Sequence, residues 1–186
     1  MAVTKGQPWA AAEAAFSAGL PLGENRIHEA LPKMAALPAA EWHLIGHLQS
    51  NKVAKAAGRF ALIQSVDSVT TAERIARLSR AQAVLVQVNI TGEAVKHGCA
   101  PEATVDLCRR VDDVLDVRGL MGIGPLNGDP APAFRLLAGL RVNAEQAIGR
   151  ALPVLSMGMS NDWEAALECG SSMLRLGRVL FGERSA

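Results

Sequence analysis

A single-domain, closed (β/α)8 TIM barrel is the fold that this 186-residue sequence predicts. Three observations predict it. Short apolar runs alternate with helix-compatible segments along the whole chain, with no linker or break in composition. Such alternation builds parallel strands joined by right-handed crossovers, and eight repeats close a barrel rather than an open sheet. No G-x-G-x-x-G follows the early strands, which removes the main support for a dinucleotide-binding sheet. The chemically unusual residues Lys5, Asn25, Gly46, Asp67, Asn89, Gly122, Ser156 and Arg175 fall at or near the ends of the expected strands. The C-terminal rim of a barrel is where ligands bind, so scatter along the chain becomes convergence in space.

The elements follow in order. Residues 1–5 (MAVTK) form a short strand ending on Lys5. Residues 9–19 are Ala-rich and helical, entered through Pro8 and stopped by Gly19. Residues 22–25 make a brief strand with a polar end, and 27–37 a helix that must hold Pro32 in its first turn or kink there. A strand over 42–46 leads to a basic amphipathic helix over 49–57, closed by Gly58. The strand at 60–66 ends at Asp67, and Ser68 is placed to cap a helix reaching Ser79. AVLVQVNI (83–90) is the clearest buried strand, being mostly Val, Leu and Ile. Pro101 opens a helix to Val111, 114–123 is a strand, and 134–150 is a helix weakened by Gly139. An apolar run led by Pro153 is the seventh strand. Asn161, Asp162 and Glu164 start the next helix, with carboxylates where the helix dipole favours them, and Gly170 stops it. Residues 171–177 supply the eighth strand.

Composition bounds the function. A net charge of +1, from 19 basic and 18 acidic residues, offers no basic face for nucleic acid. No apolar run approaches the roughly 20 residues that span a bilayer, and no signal peptide is read at the N-terminus, so no membrane partner is expected. Cys99, Cys108 and Cys169 are widely spaced and form no C-x-x-C, which fits reduced thiols in a cytoplasmic protein. His28, His43, His47 and His97 show no metal-ligand spacing, so no metal site is expected.

The last two strands each end in a turn rich in small residues, at 156–160 and at 177. Together such turns can cradle a phosphate with backbone N–H groups, although on this stretch alone two ordinary turns are the better reading, since turn glycines are common. Leu174 and Leu176 flank Arg175, so alternation turns Arg175 to the opposite face, as a ligand contact or a rim salt bridge. Lys5 alone reads as a solvated lysine. Asn25 suits a helix N-cap, and His47 and residues 49–52 read as rim and helix-start positions.

SMGMSNDWEAA, then G-S-x-M-x-R-x-G at 170–177 and Phe181-Gly182, resembles the C-terminal half of the pyridoxal-phosphate (PLP) homeostasis family. Gly23-Glu24-Asn25, WHLIGHLQSNK at 42–52 and Ala2-Val3-Thr4-Lys5 resemble its other blocks in the same order, so the likeness spans nearly the whole chain. The resemblance implies a single barrel like the N-terminal domain of alanine racemase. It implies PLP held as a Schiff base on Lys5, Asn25 on the cofactor face, and Arg175 against the pyridine nitrogen. It also implies phosphate ligands in Ser156, Ser160 and the backbone N–H groups of Met157, Gly177 and Arg178. Arg178 stands where the family often has a small hydroxyl residue. A family helix and the start of a strand should precede the lysine, so a shortened first strand is expected. The implied function is PLP homeostasis by a monomeric carrier, without catalytic residues, with PLP-dependent apoenzymes as acceptors. The alternative is an amino-acid racemase. It is disfavoured because the chain has no tyrosine for the racemase second base and no length for a second, β-rich domain. A third reading is a phosphate-metabolite barrel in which Lys5 is incidental.

Overall fold

The computed structural model describes residues 1–182. Seven parallel strands lie in sequence order: β1 (Ala2–Val3), β2 (Leu22–Glu24), β3 (Trp42–Leu44), β4 (Leu62–Val66), β5 (Ala83–Val88), β6 (Asp116–Gly122) and β7 (Val154–Ser156). Helices lie between them: α1 (Trp9–Ser17), α2 (Ile27–Ala36), α3 (Val53–Ala56), α4 (Val69–Ala76), α5 (Thr104–Asp112), α6 (Ala131–Ile148) and α7 (Trp163–Glu168), and the four-residue α8 (Arg178–Phe181) follows the last crossing. The sheet curls into the expected (β/α)-barrel arrangement, like that of the alanine racemase N-terminal domain.

The expected eighth strand is not a continuous ladder. Residues 172–176 cross the gap between β7 and β1 through two isolated bridges, Ser156↔Met173 and Ala2↔Leu176. Met1 N donates to Leu174 O at 2.9 Å, Val3 N to Leu176 O at 2.8 Å, and Leu176 N to Met1 O at 3.1 Å. The first strand is short, as expected, at two residues. The regularity is lost for a local reason: Arg175 N donates to Gly158 O. Gly158 has φ +93°, and a Cβ there would stand 2.5 Å from the Ala166 methyl. A left-handed glycine packed this closely bends the chain out of ladder register.

Local chemistry explains most other elements. Ser68 caps α4 by accepting from Thr71 N. Pro32 lies inside α2 rather than in its first turn. α6 begins at Ala131, earlier than Phe134, because the Asp129 carboxylate accepts from Ala131 N at 2.9 Å. It runs through Gly139 without interruption.

Two cores result from the period-2 alternation. Val84, Val86 and Val88 of β5 belong to the layer between sheet and helices, with Ile63, Ile75, Val111, Leu120 and Phe134. Leu62, Leu85 and Met121 form a separate cluster, packed with Ala83, Ile123, Val154 and Met173. That second cluster fills the lumen as packed side chains.

Candidate functional site

A cleft of about 660 Å³ opens on the C-terminal rim. Its wall includes Lys5 after β1, Asn25 after β2, Ile45 after β3, the loop after β6, and Ser160, Arg175, Gly177 and Arg178 at the end of the barrel. Six of the eight expected site residues therefore converge, from strands far apart in sequence. Ser156 and Met157 do not line it. Both are fully buried, one layer beneath. Ser156, expected as a phosphate ligand, is engaged by protein groups here: its Oγ donates to Gln64 Oε1 at 2.7 Å and accepts from Arg175 Nη1 at 2.8 Å. Met157 offers its carbonyl to Ser171 Oγ.

Arg175 is the electrostatic centre of the cleft. It is 5% exposed, and its two terminal nitrogens donate to neutral acceptors, Ser156 Oγ and Gly122 O, each at 2.8 Å. Among the described residues no carboxylate comes within 4.0 Å of it. Burial pushes its pKa down from 12.5 to about 10, and the more distant Asp162 carboxylate offsets part of that. It remains a cation at neutral pH. The rim salt bridge weighed from sequence is not the arrangement observed.

Behind Arg175 runs a chain that sequence reasoning missed. Gln64 Nε2 lies 3.0 Å from His43 Nδ1, and His43 Nε2 lies 2.8 Å from the exposed Glu41 carboxylate. Burial lowers the His43 pKa, and Glu41 partly counters this. Gln64 and His43 are almost wholly buried polar residues inside short strands. Polar side chains at inward positions of an otherwise apolar strand were the available signal.

Lys5 is placed by a second cluster. Thr4 Oγ1 donates to Glu24 Oε1 at 2.6 Å. Lys33 Nζ reaches both Glu24 Oε1, at 2.7 Å, and Thr4 O, at 2.8 Å. Glu24 is fully buried, so this ion pair ties α2 to the end of β1 just before Lys5. Asn25 is not the cap of α2, because that position belongs to Arg26. A Cβ on Gly46 would stand 2.1 Å from Asn25 O, so only glycine lets β3 press against this turn.

At the other end of the cleft Ser160 Oγ accepts from Val179 N at 3.3 Å, and Arg178 Nη2 donates to Asn161 Oδ1 at 2.8 Å. The wall opposite is the 124–128 loop. Lys96 holds it by donating to Gly124 O at 2.6 Å, and Glu93 accepts from Leu126 N. Away from the cleft, the loops after β3, β4 and β5 bring His47, Asp67 and His97 together. One potential ligand atom from each lies within 4.8 Å of the others, where sequence spacing suggested no such set.

The alanine racemase N-terminal domain family model matches residues 1–185. The pyridoxal phosphate homeostasis protein of Aquifex aeolicus is 41% identical over 181 residues, covering 91% of this chain and 79% of that protein. That of Pseudomonas aeruginosa is 40% identical over 193 residues, covering 99% and 84%. Among solved structures, PipY of Synechococcus elongatus with PLP bound superposes with a TM-score of 0.86 at 35% identity, covering 98% of this chain and 91% of PipY.

Proposed function

This chain belongs to the alanine racemase N-terminal domain family and, within it, to the pyridoxal phosphate homeostasis proteins, and from that premise we propose that it holds pyridoxal 5′-phosphate in the rim cleft and serves PLP homeostasis. One observation carries the placement: a buried arginine with only neutral partners faces the cleft that Lys5 also lines. A buried cation without a counter-charge is costly, and a ligand bearing acceptors and negative charge offsets that cost. The volume suits a ligand of PLP's size.

When bound, PLP supplies an aldehyde that a lysine amine can hold reversibly and a phosphate that anchors it. Lys5 supplies that amine, and the Thr4–Glu24–Lys33 cluster fixes the strand end that carries it. Arg175 donates toward the ring nitrogen. As a cation it donates a hydrogen bond there but does not surrender its proton, which keeps the ring a weak electron sink. The Ser160 hydroxyl and the backbone at Gly177 and Arg178 serve the phosphate, and Asn25 borders the ring face. Ser156 and Gln64 orient the guanidinium from below. No residue is assigned to turnover. The carrier reading is favoured over a racemase because the relatives it matches over most of their length are PLP homeostasis proteins. PLP-dependent apoenzymes are the natural acceptors of a reversibly held cofactor.

The test is incubation with PLP, borohydride reduction and peptide mapping. The expected adduct is one equivalent on Lys5. Labelling spread over surface lysines, or none, overturns the assignment.

A further inference from the structure

We propose that His47, Asp67 and His97 form a binding site for a divalent transition-metal ion of the zinc class, on the part of the rim formed by the loops after β3, β4 and β5. Each residue follows a different strand, and none lines the PLP cleft. The two imidazoles stack with centroids 3.9 Å apart and planes 8° from parallel. His47 Nδ1 stands 3.5 Å from Asp67 Oδ2, long for a hydrogen bond. That separation is close to the edge of a coordination tetrahedron, roughly 3.3–3.4 Å for bonds of about 2.0–2.1 Å. Two imidazoles and one carboxylate suit zinc and its neighbours better than magnesium or calcium, which take oxygen shells. Three protein ligands leave the remaining position to water.

The donors are held from behind. Ser65 Oγ donates to Gly46 O at 2.7 Å, fixing the loop that carries His47 to β4. Gln87 Nε2 donates to His97 O at 3.0 Å. Asn89 Nδ2 donates to Glu93 O and Lys96 O within the same loop. Asp67 immediately precedes the Ser68 cap of α4. The loop backbones are therefore set before any ion arrives, while the exposed rings of His47 and His97 must turn out of their stack so that both in-plane nitrogen lone pairs meet at the ion.

Calorimetric titration of the full chain with Zn²⁺ alone tests this, with Co²⁺ as the visible-absorption probe. One equivalent of Zn²⁺ is expected. His97→Ala and Asp67→Asn should each weaken it at least tenfold, since even outer-sphere partners are worth about 10–100-fold. Cys99 lies near enough to Asp67 to feel its charge, so Cys99→Ser is the control and should leave binding unchanged. Wild-type affinity in His97→Ala overturns the proposal. So does binding below half an equivalent, or a Co²⁺ spectrum with thiolate charge-transfer bands that vanish in Cys99→Ser. PLP uptake by His97→Ala should match wild type, so failure of this site and failure of the PLP assignment give different results.

Discussion

Replacing Arg175 by methionine separates a ligand-binding arginine from a structural one. Desolvation that lowers the pKa from 12.5 to about 10 corresponds to ~3 kcal/mol against the charged form, at about 1.4 kcal/mol per unit. The bonds to Ser156 Oγ and Gly122 O return a similar amount, since hydrogen bonds to charged groups contribute about 1.5–3 kcal/mol each. The arginine should therefore be nearly neutral to the stability of the ligand-free protein. An unbranched apolar side chain of similar length removes both sides of that balance. Arg175→Met should unfold within ~1 kcal/mol of wild type without PLP, a shift of less than about 4 °C for a chain of this size. PLP at a hundredfold its Kd should stabilise the wild type by about 2.7 kcal/mol. A tenfold weaker variant at the same concentration should gain only about 1.4 kcal/mol. Scanning calorimetry with and without PLP reads both quantities. A ligand-free variant destabilised by more than about 3 kcal/mol that keeps the full PLP shift would mean that Arg175 supports the fold and not the ligand.

Lys33→Met should cost about 3–5 kcal/mol, because it leaves the Glu24 carboxylate buried beside Thr4 without its counter-charge. The double variant with Glu24→Gln should recover most of the loss, and a single variant as stable as wild type contradicts the assignment. His43 has a folded-state pKa below its ordinary 6.5, so the unfolded chain takes the proton first. Its contribution is intact above about pH 6.5 and is lost as pH falls toward the folded value, at up to about 1.4 kcal/mol per pH unit. Melting temperatures across that window, with NMR titration of the His43 ring, check this, and a His43 resonance titrating above 6.5 refutes it.

The sequence shows some levels of this structure and hides others. β5 is legible because a strand buried on both faces reads as AVLVQV, and the Ser68 cap is legible because capping is a local bond. Alternation correctly turned Arg175 away from Leu174 and Leu176, but alternation gives a face and not a height. Ser156 lies buried one layer beneath the cleft lining, where it supports the guanidinium. The depth depends on how the strands stagger around the barrel, which no local pattern encodes. The eighth strand looked regular because its residues suit a strand. Its ladder is broken by the backbone of Gly158, on a neighbouring segment. His47, Asp67 and His97 lie 20 and 30 positions apart, outside any short motif, and meet only because successive strands are neighbours in the sheet.

The site straddles the least regular join in the barrel. Lys5 follows β1, and Arg175 and Gly177 belong to the segment that crosses to it. Across that seam the pairing is two isolated bridges and a few backbone bonds, whereas β5 and β6 pair over six positions. Local opening should therefore begin at the seam, where few hydrogen bonds resist it. A ligand held on one side by Lys5 and on the other by Arg175 and Gly177 has contacts that require the seam to be closed. Linkage then makes PLP binding stabilise closure by its differential affinity for the closed form. Native-state hydrogen exchange should show PLP slowing the Val3 and Leu176 amides, whose bonds cross the seam, by more than the amides of β5. At a hundredfold excess over Kd the slowing should approach about a hundredfold where opening abolishes binding. Protection that rises equally in β5 and at the seam would place the coupling in global stability, and protection confined to the 124–128 loop would place the ligand against that wall alone.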